Sequence, residues 1–131
     1  MGFKSETATT VLAATAVPTS YGTWDSGWID VGLADDLRLL CTFVKSDATS
    51  LQLKLEVEDS SGTTGFETFK VSSGTASVDE VSITASALDA THYFALGVST
   101  VDVRRVKVHA KTTGGGDTAT LALDVSMGGN R

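Results

Sequence analysis

From Trp24 onward, apolar positions recur in short runs of period two, broken about every 10–15 residues by turn residues. Leu51, Leu53, Leu55 and Val57 alternate with Gln52, Lys54, Glu56 and Glu58, which predicts a strand with one buried and one wet face. Leu37, Leu39, Cys41 and Phe43 alternate with Arg38, Leu40, Thr42 and Val44. Both faces of that segment are largely apolar, so it reads as a central strand. Trp28 to Val31 is a short strand closed by Gly32, and Tyr93–Ser99 is a compact apolar one. Phe66, Phe69 and Val71 mark a strand of less regular phase. Val78, Val81 and Ile83 mark another, and Ala85–Asp89 fits one helical turn. Val101 and Val103 lie in one phase and Val106 and Val108 in the other, so a β-bulge at Arg104-Arg105 is expected to keep both pairs inward. Ala119, Leu121, Leu123 and Val125 close the pattern on a clean alternation.

The turns between these runs have their own chemistry: Lys45–Ser50, Asp59-Ser60-Ser61-Gly62, Ser72-Ser73-Gly74 and Gly114-Gly115-Gly116-Asp117. About eight short antiparallel strands with no convincing helix predict an all-β, two-sheet antiparallel β-sandwich. A jelly roll is the expected topology and an immunoglobulin-like sandwich the alternative. No repeat of solenoid or propeller period is visible.

The first 20 residues differ. They are Ala/Thr-rich, nearly uncharged and carry no stripe at helical spacing. They read as an extended N-terminal arm, with a strand at 9–17 if Val11, Ala13, Thr15 and Val17 share a face; a frayed terminus is the other reading. The expected organisation is an arm over 1–20, a sandwich over 21–127 and a loose tail over 128–131.

Composition supports strands: 19 Thr, 14 Val and 13 Gly stand against a single Pro in 131 residues. With 16 acidic and 10 basic side chains the net charge is −6, which disfavours nucleic-acid partners, since phosphate binding runs on Lys/Arg clusters. No apolar run reaches the length of a membrane helix, and no signal-peptide or myristoylation pattern is visible at the N-terminus. Cys41 alone cannot form an internal disulfide, which fits synthesis in a reducing cytoplasm.

The search for chemistry finds no catalytic set and no cofactor motif, and the chain reads as a non-enzyme. Cys41 sits on an apolar strand face and reads as a small buried hydrophobe. His92 opens a strand and His109 points to solvent; their spacing gives no metal signal. There is no Walker loop and no nucleophile elbow. Asp35, Asp36, Asp47, Asp59, Asp89 and Asp117 gather in loops, as calcium ligands do, but Asp is equally a turn residue and no DxDxDG spacing appears. The aromatic cluster Tyr21, Trp24 and Trp28 has two readings. Exposed planes would stack on sugar rings, with Asp25 or Asp30 accepting hydroxyl hydrogen bonds. The favoured reading packs Trp28 into the core and Trp24 where the arm enters the domain.

The run Thr23-Trp24-Asp25-Ser26-Gly27-Trp28-Ile29-Asp30-Val31-Gly32 is followed by the Leu37–Val44 strand, a Ser46-Asp47-Ala48 turn and the Leu51–Glu58 strand ending in Asp59-Ser60-Ser61-Gly62. Over about residues 23–65 this resembles small β-sandwich proteins of tailed-phage virions, which serve as head decoration (cement) proteins or tail and fibre modules. Beyond residue 65 nothing selects one role. The resemblance implies a structural protein on the capsid surface of a virion, bound non-covalently to the major capsid protein and to copies of itself, often as a homotrimer. The arm residues Thr9, Thr10, Val11, Leu12, Ala13 and Val17 are the expected partner contacts, since an uncharged strand adds readily to a partner's sheet edge. The alternative function is a carbohydrate-binding module using Tyr21, Trp24 and Trp28.

Overall fold

The structure, a computed structural model, describes residues 9–31, 36–67, 75–76, 80–84, 90–99, 102–114 and 118–128. Among these there are ten strands and no helix: β1 (Thr9–Ala16), β2 (Ile29–Asp30), β3 (Asp36–Val44), β4 (Ser50–Asp59), β5 (Thr64–Glu67), β6 (Thr75–Ala76), β7 (Val81–Thr84), β8 (Thr91–Ser99), β9 (Val103–Thr113) and β10 (Thr120–Gly128).

They form two antiparallel sheets, ordered β1-β10-β3-β8 and β2-β9-β4-β7-β6, with β5 pairing the second half of β4. The pairing has one logic: β1 with β10, β2 with β9, β3 with β8 and β4 with β7. That is a single long antiparallel hairpin rolled over so that alternate pairs fall into opposite sheets, the jelly-roll arrangement expected from the strand count. Strands β5 and β6 are an insertion at the closed end of the hairpin.

Alternation explains which faces meet. Leu37, Leu39, Cys41 and Phe43 of β3 are buried beside Leu121, Leu123 and Val125 of β10 and Leu96 and Val98 of β8. The other sheet contributes Leu51, Leu53, Leu55 and Val57 of β4, Val81 and Ile83 of β7, and Val106, Val108 and Ala110 of β9. The bulge lies where the sequence places it. Glu58 pairs with Arg105 but Asp59 with Val103, so Arg104 is the extra residue. Val106 and Val108 are buried and Val103 packs against the core. Val101, Phe69, Val71, Val78 and the expected helical turn at 85–89 lie outside the described residues.

Two turns carry their own fasteners. Asp59 Oδ1 accepts from Ser61 N, Ser61 Oγ and Thr63 N, and Ser60 Oγ donates to Asp102 Oδ1 at 2.6 Å, tying the β4–β5 turn to the β8–β9 turn. Gly114 is left-handed (φ 79°), and a β-carbon there would run into the side chain of Thr49.

The strand expected at 9–17 is present, but as part of the sandwich and not of a separate arm; residues 1–8 lie outside the described residues. The 9–16 portion is β1, an edge strand of the four-stranded sheet paired along β10 with two register shifts. Val17 is fully buried and its amide donates to Ala119 O at 2.8 Å. The boundary between arm and sandwich therefore does not fall at residue 20. The strand forms because Val11 and Leu12 both reach apolar surface, and the register shifts let adjacent residues do so.

Candidate functional site

Residues 18–31 run beside β9 and form a regular strand only at the two-residue β2. Thr112 N donates to Pro18 O (2.9 Å), Ser26 N to Val108 O (2.9 Å) and Val31 N to Arg104 O (3.1 Å), while Val108 N donates back to Ser26 Oγ (2.9 Å). Asp25 Oδ1 accepts from Gly27 N at 2.7 Å, and Gly27 is left-handed (φ 73°). This turn puts the two tryptophans on opposite sides. Trp24 is 2% exposed and belongs to the core, so it offers no plane to a sugar. Trp28 is half-buried on the outer face. The packed reading holds for Trp24 and is corrected for Trp28, which lies on the outer face; the sugar-platform reading loses Trp24, and only Tyr21 and Trp28 remain as candidate platforms.

Those two rings cap a line of cations on the outer face of the six-stranded sheet. Period two places Arg105, Lys107, His109 and Lys111 of β9 on that face beside Glu58, Glu56, Lys54 and Gln52 of β4. Arg105 and Lys107 lie 4.4 and 4.6 Å from the Trp28 ring. Lys54 and Lys111 lie 4.6 and 5.2 Å from the Tyr21 ring. Phe66 of β5, 46% exposed, closes the middle, 5.3 Å from the Lys54 ammonium and 5.8 Å from the His109 ring. Such cation–ring contacts contribute about 0.5–1 kcal/mol each at exposed sites and more where water is displaced.

Three acids of this face, Glu56, Glu58 and Glu80, are engaged, while Asp30 of β2 stands exposed opposite Arg105. Glu56 Oε1 lies 2.9 Å from His109 Nε2, so His109 is paired rather than pointing freely to solvent. Tyr21 Oη donates to Glu80 Oε2 at 2.7 Å; burial first, and that bond second, push the phenol well above its ordinary range. Glu58 accepts a fork from Arg105, Nε to Oε1 at 2.8 Å and Nη2 to Oε2 at 3.0 Å, with Arg104 3.8 Å away. The hydrogen bonds from Arg105 hold Glu58 below the usual carboxylate range. A lowered folded-state value means a contribution to stability that is full above the unfolded value of about 4.3 and is lost as pH falls through the folded value. The stability gap between wild type and Glu58→Gln, read by urea unfolding, is therefore expected to be widest near neutral pH and to narrow at about pH 3. A gap independent of pH would contradict the assignment.

The other candidates separate. Cys41 is buried in β3, and burial, with Asp124 nearby, raises its thiol far out of the reactive range. His92 lies on β8, its ring 5.6 Å from Phe94, whereas His109 stands on the other sheet. Asp59 is held below the usual range by the Ser61 hydroxyl and the Thr63 amide, as a turn residue is. Asp47 is exposed in a turn, while Asp35, Asp89, Asp117 and the side chain of Asp36 lie outside the described residues. Among the described residues no three His, Cys, Asp or Glu side chains are grouped to hold a metal ion. Of the arm residues, Thr10 and Ala13 are exposed, Val11 and Leu12 half-buried, and Val17 is enclosed and unavailable to a partner; the Thr9 side chain is outside the described residues.

Sequence reasoning singled out the aromatics but missed Lys54, Arg105, Lys107 and Lys111. The alternation of basic residues at 105, 107, 109 and 111 carried that signal, because period two puts them on one strand face.

No family model and no curated protein matches the sequence. Among solved structures, the crystal structure of the SPBc2 prophage-derived protein YomS is similar, with a TM-score of 0.54 and 17% sequence identity over 96% of this chain and 97% of that one. At this identity the likeness is one of fold, and it extends over nearly the full length of both chains.

Proposed function

We propose that this chain is a non-enzymatic structural protein of a tailed-phage virion, a head decoration protein that binds the capsid lattice and neighbouring copies of itself without covalent bonds. The observation that carries the reading is the end-to-end likeness of fold to a prophage-derived protein of the same extent. The four-stranded sheet supports it. Its outward positions include Leu40, Thr42, Val44, Ala95, Ala122 and Tyr93, the last 73% exposed, with Arg38 and Asp124 as the charges there among the described side chains. Its edge strand β1 (TTVLAATA) lacks the charges and prolines that usually guard an edge. Docking through β1 and this face, as a trimer around a lattice point, leaves the cation–aromatic face outward. The test is sedimentation with heads of the parent phage that lack the protein. Recovery in the pellet at a fixed ratio to the major capsid protein is expected. Recovery only in the supernatant, or with tails, overturns the reading.

A second reading, a carbohydrate-binding module, is favoured by Tyr21 and Trp28 on the outer face of the six-stranded sheet. Binding of any polysaccharide that quenches tryptophan fluorescence supports it.

A further inference from the structure

We propose that the outer face of the six-stranded sheet binds a glycan bearing anionic groups, carboxylate or phosphate, along the line from Trp28 to Tyr21. This rests on the carbohydrate-binding reading and stands apart from the decoration reading.

Three observations point there. First, in an acidic chain the ammoniums of Lys54, Lys107 and Lys111 form no ion pair among the described residues, while Glu56 and Glu58 are held by His109 and Arg105. Their charge is left for something outside the molecule. Second, these ammoniums are held in place: Lys107 against Trp28, Lys111 against Tyr21, and Lys54 between Tyr21 and Phe66. Holding them lowers the side-chain entropy lost when a ligand is bound. Third, the face mixes chemistries. Lys107 and Lys111, four residues apart on one strand, are about 13 Å from each other. Between them stand the Glu56–His109 pair and Phe66.

That mixture selects the ligand class. A continuous phosphate backbone would meet the carboxylates of Glu56, Glu58 and Glu80 along with the lysines, which counts against nucleic acid. A neutral glycan would leave the three ammoniums uncompensated. A sugar chain with intermittent charges suits all of it: lysines for the anionic groups, Glu56 and His109 for hydroxyls, and ring faces for the pyranose planes.

The test uses the full chain with polygalacturonate, a phosphomannan and dextran, read by calorimetry and tryptophan fluorescence. One anionic polymer is expected to bind at least about tenfold more tightly than dextran, and to weaken as salt rises from about 50 to about 500 mM. The polymer that binds identifies the charged group. The pair Lys54→Gln and Lys111→Gln is expected to weaken anionic binding about tenfold with an unchanged circular dichroism spectrum. If that pair fails to fold, Lys107→Gln and the salt dependence of the wild type carry the test. Equal affinity for dextran overturns the anionic assignment and leaves the carbohydrate reading standing. No binding to any of the three overturns both, and equally tight binding of duplex DNA overturns the choice of a glycan.

Discussion

Replacing Phe43 by alanine is expected to lower the unfolding free energy by about 3–5 kcal/mol, against a total of about 5–15 kcal/mol for a domain of this kind. Phe43 is fully enclosed in the central strand β3, in register with Leu121 on one side and His92 on the other. Removing the ring deletes both its transfer free energy and its packing contacts, and a site fixed by paired strands on both flanks has little room to collapse. Tyr93 is the control, because it opposes Thr42 on the outward face of the same strand pair. Tyr93→Ala is expected to change stability by no more than about 0.5 kcal/mol in the isolated protein. Urea unfolding at neutral pH of the two variants measures the contrast. Similar losses for both would mean that the phase of the four-stranded sheet is wrong.

The inward phase of Phe43 was legible in the sequence, whereas Tyr93–Ser99 read only as an apolar strand; more of the fold was legible too. β4 alternates Leu and Val with polar residues, and its apolar set faces the core as expected, but the face expected to be wet is partly covered, since Gln52 and Glu58 are buried as well. β3 is apolar on both faces and is flanked by strands on both sides. The valine phase shift around Arg104 located a bulge. Each of these is a local property, set by period two and the cost of burying a polar side chain. Partner choice is not local. Alternation says which face of β1 or β2 is apolar, not that β10 and β9 lie beside them. The tryptophans show the limit best. Four residues apart, they would share a face of any regular strand. The Asp25–Gly27 hydrogen bond and the left-handed Gly27 interrupt the strand, sending Trp24 inward and Trp28 out. The basic line on β9 was legible as a stripe, but its meeting with Tyr21 and Phe66 depends on how the 18–31 segment and β5 fold over the sheet.

A chain that begins at residue 18 is expected to lose more than about 3 kcal/mol, because deletion to that point is not removal of a free arm. It takes the β1–β10 ladder, the half-buried Val11 and Leu12, and Val17, whose full enclosure alone contributes about 1.5–3 kcal/mol. It also bares the edge of β10, whose Leu121, Leu123 and Val125 face the core and whose main chain would be left unpaired along one side, so the truncated protein is expected to associate with itself. Size-exclusion chromatography and urea unfolding measure both effects; a monomer of undiminished stability would show that β1 contributes little. The same physics decides how the decoration reading is tested. Loss of capsid attachment after truncation would follow from instability alone and would say nothing about contact. Ala13→Lys separates the two: its side chain is exposed on β1, so stability is expected to hold within about 0.5 kcal/mol, while a lysine on that edge opposes pairing with a partner strand. Weaker attachment of a fully stable Ala13→Lys protein would therefore place the capsid contact at β1. Unchanged attachment would move it to the Tyr93 face.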